Sequence, residues 1–434
     1  MSSVVLSGGQ VFVDGKLEKK DILIEGKKIS KIGEGLQGEK IDCTGKLILP
    51  GAIDIHVHFR DFSESHKEDW ASGSRAAAAG GTTTVFDMVN NDPPITTKER
   101  LFQKKELAKK SIVNFGLYFG LGPDNLDSLN EVTPHVCGFK LHMCKTTGDL
   151  LLIDPLLQKR AFEKVKETGK IIVIHAEDHE ILEVAAKDVE GRNDFLAHAD
   201  SRPHGAEIKA VETAICFQKE SGAKAHITHM TTARAAELVL EAKKAGQDIT
   251  CDTCPTYLFL TTKDLEEKGA SAKMNPPVRD EKDLLALWNG IRCGEIDIIT
   301  TDHAPHTIDE KNKNFFDAPA GVPGVEMRVP LLLDAVNKGK ITLEAFVKTC
   351  SATPAKRFGL KGRGEIKEGN FADILVADMA LEKEVKREEQ HTKCGWSPYE
   401  GRVLKGWPVM TFVSGKLVYD TNGFYDNEGN DLFP

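Results

Sequence analysis

Short apolar runs alternate with helical patterns through the middle of the chain. Eight runs are typical of buried strands: AIDIHVHF, TTTVFDMV, NFGLYFGLG, CGFKLHM, KIIVIHAE, AKAHITHM, DITCDTCP and IDIITTDHAPH. Segments between them, such as DPLLQKRAFEKVKETG and TTARAAELVLEAKKAG, place apolar residues at helical spacing and end in Gly, a common helix stop. Strands that alternate with helices in this way predict an α/β fold, a (β/α)8 barrel of the TIM type.

The two ends of the chain have a different pattern. Both consist of short β-type runs with Gly-rich turns, for example SVVLSGGQVFVDG near the start and PVMTFVSGKLVYD near the end. Such runs can pair into one small β-sandwich. We therefore expect residues 1–50 and 363–434 to build a sandwich from both chain ends, and residues 51–362 to form the barrel.

In a barrel of this type the active site lies at the C-terminal ends of the strands. Polar residues should therefore cluster where the eight runs end, and they do. The residues at or near run ends are His56, His58, Lys140, His175, His229 and Asp302. This placement predicts an active site built from these side chains.

His56 and His58 are separated by one residue, so in a strand they point to the same face. Both imidazoles can then reach one metal ion, and imidazole suits zinc. The alternative is a pair of histidines on a surface strand. The apolar residues around them favour the metal site.

His175 and His229 each close another apolar run, and Asp302 follows the eighth. A lone histidine in such a position is more often a hydrogen-bonded core residue, and Asp302 could simply cap a turn. Two histidines at adjacent strand ends make a second metal position plausible. Asp302 would then be a metal ligand that also acts as general base.

Lys140 lies inside the apolar run CGFKLHM, where an ammonium group is costly unless it is paired or neutralised. A salt bridge or an outward-reaching side chain would be the ordinary explanation. A desolvated lysine also loses its proton readily. The neutral amine can then add carbon dioxide, and the resulting carbamate could bridge two metal ions.

Composition narrows the class of protein. The net charge is −9 with no basic tract, so nucleic acid is not an expected partner. The N-terminus lacks a signal-peptide pattern, and no apolar run approaches the roughly 18 residues of a membrane helix. We expect a cytoplasmic protein that acts on a small-molecule substrate. The sequence leaves open whether it forms a homo-oligomer. Cys251 and Cys254 have metal or redox spacing, but we interpret them as reduced core cysteines.

Several motifs in order resemble the amidohydrolase superfamily and, within it, the dihydroorotases. They are PGAIDIHVHFRD, CGFKLHM, IHAED, ITHMTT, KMNPPVR, TTDHAPH, DAPAGVPGVE and the closing GEIKEGNFADILVAD. The resemblance covers essentially the whole chain. It implies a metal-dependent barrel with two Zn²⁺ ions. His56, His58 and Asp302 would hold one ion, His175 and His229 the other, and carboxylated Lys140 would bridge them.

The resemblance also implies the reaction. A dihydroorotase reversibly hydrolyses (S)-dihydroorotate to N-carbamoyl-L-aspartate in de novo pyrimidine (UMP) synthesis, with Asp302 as general acid and base. Arg60 would grip the substrate carboxylate, since a guanidinium binds carboxylates through two hydrogen bonds, although a salt-bridged surface arginine is the ordinary alternative. Further substrate contacts are expected from Asn90, Asn275, His306, Ala320 and Gly321.

Two other functions remain open. Relatives that open dihydropyrimidines, hydantoins or allantoin share the metals but act on uncharged rings, and Arg60 argues against them. Some positions depart from the dihydroorotase pattern, namely Phe62-Ser63, Val89 and Thr256-Tyr257, and a tyrosine like Tyr257 also occurs in hydantoinase-like relatives. A metal-free assembly partner would lack several ligands, whereas every candidate ligand is present here.

Overall fold

A computed structural model of the chain describes residues 3–145, 150–192, 194–314 and 316–434. The strands before the barrel are β1 Ser3–Ser7, β2 Gln10–Val13, β3 Lys16–Lys19, β4 Asp21–Glu25, β5 Lys28–Gly33, β6 Glu39–Asp42 and β7 Leu47–Pro50. The barrel strands are β8 Ala52–Val57, β9 Thr82–Asp87, β10 Asn114–Gly120, β11 Gly138–His142, β12 Ile171–His175, β13 Lys224–Ile227, β14 Ile249–Thr253 and β15 Ile298–Ile299. The strands after it are β16 Ile374–Glu384, β17 Val403–Val413, β18 Lys416–Asp420 and β19 Gly423–Phe424.

Helices separate the barrel strands and follow them. They are α1 Trp70–Ala79, α2 Lys98–Ala108, α3 Pro155–Thr168, α4 His179–Asp188, α5 Leu196–Asp200, α6 His204–Ser221, α7 Ala233–Lys244, α8 Pro255–Phe259, α9 Thr262–Lys268, α10 Glu281–Cys293, α11 Ile308–Lys311, α12 Arg328–Asn337, α13 Leu343–Val347 and α14 Thr353–Arg357. Helix α3 illustrates the local signals. The Asp154 side chain accepts a hydrogen bond from the Leu156 N–H, Pro155 occupies the first turn, and Gly169 ends the helix with a φ of 71°.

The barrel is formed by β8–β15, which lie side by side in chain order and pair in parallel. A parallel bridge between Val57 and His303 brings the two edges together. Every residue of β8 through β12 is buried, which explains why most of these runs are mainly apolar. The predicted α/β barrel is confirmed.

The chain ends build two further sheets. In the larger sheet β2 pairs in parallel with β7, and β7 pairs antiparallel with β16, so both ends share one set of hydrogen bonds. The smaller sheet has the order β5-β4-β1-β6. One apolar cluster joins the inner faces of both sheets, with Leu6, Ile22 and Ile24 from the smaller and Val11, Ile48, Ile374 and Phe412 from the larger. The predicted sandwich built from both ends is therefore present.

The last residues leave the sandwich and return to the barrel. The Phe115 N–H donates to the Asn430 carbonyl at 3.0 Å, and the Leu432 N–H donates to the Phe115 carbonyl at 2.9 Å. Phe115 lies near the start of β10, so this segment covers the N-terminal end of the barrel. The opposite end, where the strands finish, stays available for a site.

The structure also shows the surroundings of Cys251 and Cys254 and the lengths of the helices. Cys251 and Cys254 are free and buried, and burial raises the pKa of both thiols, as expected for core cysteines. Within the described ranges, none of the helices has the length and apolar character that crossing a membrane requires.

Candidate metal centre and substrate pocket

A pocket opens at the C-terminal ends of the barrel strands. Its walls include all but one of the residues expected at the site, together with three others. The lining residues are His56, His58, Arg60, Asn90, Lys140, His142, His175, Met274, His229, Asn275, Asp302, Ala304, Ala320 and Gly321. The space between these side chains, including the part that is open to solvent, is about 440 Å³.

His56, His58 and Asp302 form one group of possible metal ligands. Nε2 of His56 lies 3.2 Å and Nε2 of His58 lies 3.0 Å from the same carboxylate oxygen, Asp302 Oδ1. Burial would raise the pKa of Asp302, but the two imidazoles outweigh it and hold that pKa well below 3.8. The carboxylate is therefore ionised and able to bind a cation.

His175 and His229 form the neighbouring pair. His175 Nδ1 is 2.9 Å from His229 Nε2, and the His56 and His229 ring centroids are 5.4 Å apart. Burial lowers the pKa of His58 to about 3 and also lowers those of His175 and His229. Neutral imidazoles keep a lone pair for a metal ion, so the chemistry of this donor set fits one.

Glu177 orients His175 from the far side of its ring. Its Oε2 lies 2.7 Å from His175 Nε2, and Arg202 binds the same carboxylate, with Nε 3.0 Å from Oε1. With Nε2 hydrogen-bonded to a carboxylate, the proton resides there and the Nδ1 lone pair faces His229. Cys144 lies near this carboxylate, and Cys144, His175 and Glu177 form a second group with metal-ligand spacing.

Lys140 is on β11, next to the strand that carries His175, and lines the same pocket as the histidines. The residue is 1% exposed, and its Nζ donates to Thr228 Oγ1 at 3.2 Å. Burial lowers the pKa of Lys140 to about 8. About a tenth of the side chain is therefore a neutral, nucleophilic amine at pH 7, far more than for an exposed lysine.

Two buried carboxylates hold the backbone around the candidate ligands. His229 and Asp302 both have positive φ angles, 43° and 46°, which are uncommon for residues other than glycine. The His229 N–H donates to Asp252 Oδ1 at 2.6 Å. Asp54 accepts from the N–H groups of His56 and Thr301, each at 3.2 Å. Strained conformations of this kind persist where neighbouring groups hold them.

Arg60 is a buried cation whose charge is only weakly neutralised by nearby carboxylates. It is 2% exposed, its Nε donates to the Pro305 carbonyl at 3.1 Å, and its Nη2 is 3.1 Å from His306 Nε2. Among the described residues, the carboxylate oxygen nearest to this guanidinium is Glu64 Oε2, at 3.9 Å from Nη1. That carboxylate also binds Lys67 at 2.6 Å. Arg60 therefore retains the capacity to bind an anion in the pocket.

The other expected substrate contacts fall into two positions. Asn90, Asn275, Ala320 and Gly321 line the pocket, whereas His306 lies behind Arg60 and outside the lining. Asn275 Oδ1 is buried, and no hydrogen-bond partner for it occurs in the described part of the chain. The Gly321 N–H already donates to the Lys273 carbonyl at 2.8 Å. A Cβ on Gly321 would lie 2.6 Å from the Ala304 oxygen, so this loop position requires glycine.

Sequence reasoning left some pocket and support residues unassigned. His142 lines the pocket and follows Lys140 by two positions, so the alternation of a strand could have placed both on one face. Glu177 follows His175 by two residues in IHAED, but nothing in the sequence indicates that its carboxylate turns back to the ring. Tyr257, one of the departures from the family pattern, donates its hydroxyl to the Pro276 carbonyl at 2.9 Å and so supports the segment that carries Asn275.

Comparison with known proteins identifies the family of the chain. The sequence model of the amidohydrolase family matches residues 47–418. The chain belongs to the amidohydrolase family. Membership makes this amidohydrolase a hydrolase, and it accords with the histidine and aspartate groups of metal-ligand type at the barrel mouth.

Named relatives of this amidohydrolase differ in their substrates. A dihydroorotase of Halobacterium salinarum is 38% identical over 414 residues, covering 94% of this chain and 95% of the relative. An allantoinase of Rubrobacter xylanophilus is 36% identical over 431 residues, with 96% and 94% covered. The solved structure of L-hydantoinase from Arthrobacter aurescens matches with a TM-score of 0.95 at 30% identity, covering 99% of this chain and 98% of the other. Overall similarity therefore does not identify the substrate, which depends on the residues of the pocket.

Proposed function

We propose that this amidohydrolase is a dihydroorotase, which interconverts (S)-dihydroorotate and N-carbamoyl-L-aspartate in pyrimidine synthesis. The observation that carries the proposal is the buried, weakly compensated guanidinium of Arg60 beside the histidine groups. A guanidinium in this position binds a substrate carboxylate through charge-assisted hydrogen bonds. Dihydroorotate carries a carboxylate on its ring, whereas dihydrouracil and allantoin carry none.

Two Zn²⁺ ions are the expected cofactor. His56, His58 and Asp302 would hold one ion, and His175 and His229 would hold the other. A metal pair of this kind lowers the pKa of a bound water and polarises an amide carbonyl. The convergent nitrogen and oxygen atoms and the lowered imidazole pKa values support this assignment.

Lys140 is proposed to carry a carboxylate as the carbamate formed with carbon dioxide. The reaction needs a neutral amine, and the pKa of about 8 supplies one. The carbamate would replace a buried cation by an anion between two cations, which removes the electrostatic cost of burying Lys140 there.

Substrate orientation follows from the polar groups of the pocket. Arg60 would bind the ring carboxylate, assisted by Asn90. Asn275 Oδ1 is a buried acceptor without a partner among the described residues, and a ring N–H would satisfy it. Ala320 and Gly321 would close over the ring as backbone surfaces, and His306 would act indirectly by supporting Arg60.

Asp302 is proposed to move the proton. Its carboxylate is ionised and faces the cavity beside His56 and His58, so it can accept the proton of the attacking water. It would then return that proton to the ring nitrogen as the amide bond breaks. Ring closure would use the same steps in reverse.

A second candidate is a cyclic amidase for uncharged rings, such as an allantoinase, hydantoinase or dihydropyrimidinase. The allantoinase at 36% identity and the L-hydantoinase with a TM-score of 0.95 favour it. Its weakness is that an uncharged ring would leave the Arg60 guanidinium buried without an anion, which is energetically costly.

Turnover of several substrates by the zinc-loaded protein tests the proposal. N-carbamoyl-L-aspartate cyclisation should be compared with hydrolysis of dihydroorotate, dihydrouracil, hydantoin and allantoin. Activity confined to the carboxylated substrates is the expected result. Activity confined to an uncharged ring would establish the second candidate and refute the assignment of Arg60.

A further inference from the structure

The segment that carries Arg60 has an unusual backbone. Directly after Arg60, Asp61 and Phe62 both have positive φ angles, 27° and 56°, although neither is glycine. Positive φ is unfavourable for a residue with a side chain and persists only where neighbouring groups hold it. Something outside the segment must therefore hold its shape.

A buried chain of polar groups holds the backbone that leads into these two residues. Asn91 Nδ2 donates to the Arg60 carbonyl oxygen at 2.6 Å, and Lys104 Nζ donates to Asn91 Oδ1 at 2.8 Å. Lys104 Nζ also pairs with Asp87 Oδ2 at 2.7 Å, and Asp87 Oδ1 accepts the Phe59 N–H at 2.8 Å. The network therefore holds the backbone at two groups, the N–H of Phe59 before Arg60 and the carbonyl of Arg60 itself.

Lys104 determines which way the Asn91 amide points. An ammonium has three N–H donors and no acceptor, and here Lys104 donates to Met88 O and Asn91 Oδ1 and forms an ion pair with Asp87 Oδ2. Because lysine can only donate, the Asn91 oxygen must face Lys104 and the Asn91 NH₂ must face Arg60. Lys104 and Asp87 are fully buried and Asn91 is 8% exposed, so water cannot replace these contacts readily.

The same contacts join two parts of the pocket wall. Asn90 precedes Asn91 and lines the pocket together with Arg60. Ser63 adds a second connection, because its hydroxyl donates to Asp92 Oδ2 at 2.7 Å. The distance between the Arg60 and Asn90 segments is therefore set by protein contacts outside the pocket.

We propose that Asn91, oriented by Lys104, is a positioning residue that aligns Arg60 with the substrate carboxylate. This inference rests on the proposed function, in which Arg60 binds that carboxylate. A two-pronged guanidinium contact is sensitive to alignment, and misplacement by about 1 Å can cost on the order of a hundredfold. Selectivity for an anionic ring then depends on a residue that does not touch the ring.

The test compares two substitutions with a matched control. Asn91→Asp keeps an oxygen for Lys104 but places a second oxygen against the Arg60 carbonyl. Asn91→Ala removes the contact without adding charge. The control is Asn125→Asp, because Asn125 also donates from Nδ2 to backbone carbonyls, Gly120 O at 2.8 Å and Thr96 O at 3.1 Å, while its oxygen accepts the Gly122 N–H at 3.0 Å.

Zinc content, thermal midpoint, kcat and KM for dihydroorotate are measured for each protein. Both Asn91 variants should bind zinc normally and raise KM about tenfold with kcat within about threefold, whereas Asn125→Asp should leave KM unchanged. Three results would overturn the proposal: an unchanged KM in folded Asn91→Ala, a KM increase only in the charged Asn91→Asp, or an equal increase in the control. Absence of dihydroorotate turnover by the unmodified protein would instead refute the proposed function, and the positioning role with it.

Discussion

Replacing Arg60 by Met tests the carboxylate contact most directly. Methionine replaces the aliphatic part of the side chain and removes the charged guanidinium without adding a polar group. The lost interaction is a pair of charge-assisted hydrogen bonds in a site that is 2% exposed. Such bonds contribute about 1.5–3 kcal/mol each, and a net loss of about 3 kcal/mol corresponds to roughly a hundredfold increase in KM.

The same substitution should not weaken the fold. Burial lowers the pKa of Arg60, which means that the charged form is disfavoured where it lies, and the Glu64 carboxylate is 3.9 Å away. We therefore expect an Arg60→Met protein with an unchanged or higher thermal midpoint and unchanged zinc content. A loss of substrate binding together with retained stability would identify Arg60 as a ligand-binding residue rather than a structural one.

Initial rates of dihydroorotate hydrolysis over a range of concentrations provide the assay. Arg60→Lys retains the charge but not the two-pronged geometry, so its KM should lie between those of the other two proteins. The exposed Arg387→Met serves as a control for loss of one positive charge. A KM within about twofold of normal in folded, zinc-loaded Arg60→Met would refute the reasoning, since the predicted loss is much larger.

Three other substitutions test the remaining parts of the site. Asp302→Asn should retain zinc and lower kcat about a thousandfold, and near-normal turnover would exclude the proton-transfer role. Lys140→Met should bind one zinc ion instead of two by elemental analysis. In metal-free unmodified protein, activation by zinc at the same concentration of dissolved carbon dioxide should be faster at about pH 9 than at about pH 7, because the amine with a pKa of about 8 is mostly neutral only above that value. Activation at equal rates would argue against the carbamate. Glu177→Gln should weaken zinc binding about tenfold to a hundredfold in competition with a chelator, whereas the exposed Glu183→Gln should not. Equal affinities would show that Glu177 does not support His175.

Much of the candidate site follows from local sequence patterns. The alternation of a strand places His56 and His58 on one face, and the rule that barrel sites lie at strand ends adds His175, His229 and Asp302. In the structure these side chains do converge, with Nε2 of His56 and His58 about the same distance from Asp302 Oδ1. The side chains converge because parallel strands of a barrel must all finish at one end.

The positions of the support groups could not be predicted in this way. His306 follows Asp302 closely and resembles a substrate contact, but its ring lies behind Arg60 because the chain turns away after the eighth strand. Lys104 is on α2, in a sequence rich in lysine, and nothing local distinguishes it from Lys105 or Lys109. Only the packing of α2 against the barrel buries its ammonium beside Asp87.

The sequence alone therefore determined the barrel, the sandwich formed by both chain ends and the likeness to amidohydrolases, because those depend on periodicity and on the order of motifs. The tertiary structure decided which charges are compensated. Arg60 has a weak partner, Lys104 has two acceptors and a paired carboxylate, and Glu177 is shared by His175 and Arg202. These differences depend on distances between residues far apart in the chain and on exclusion of water, and both arise only when the elements pack together.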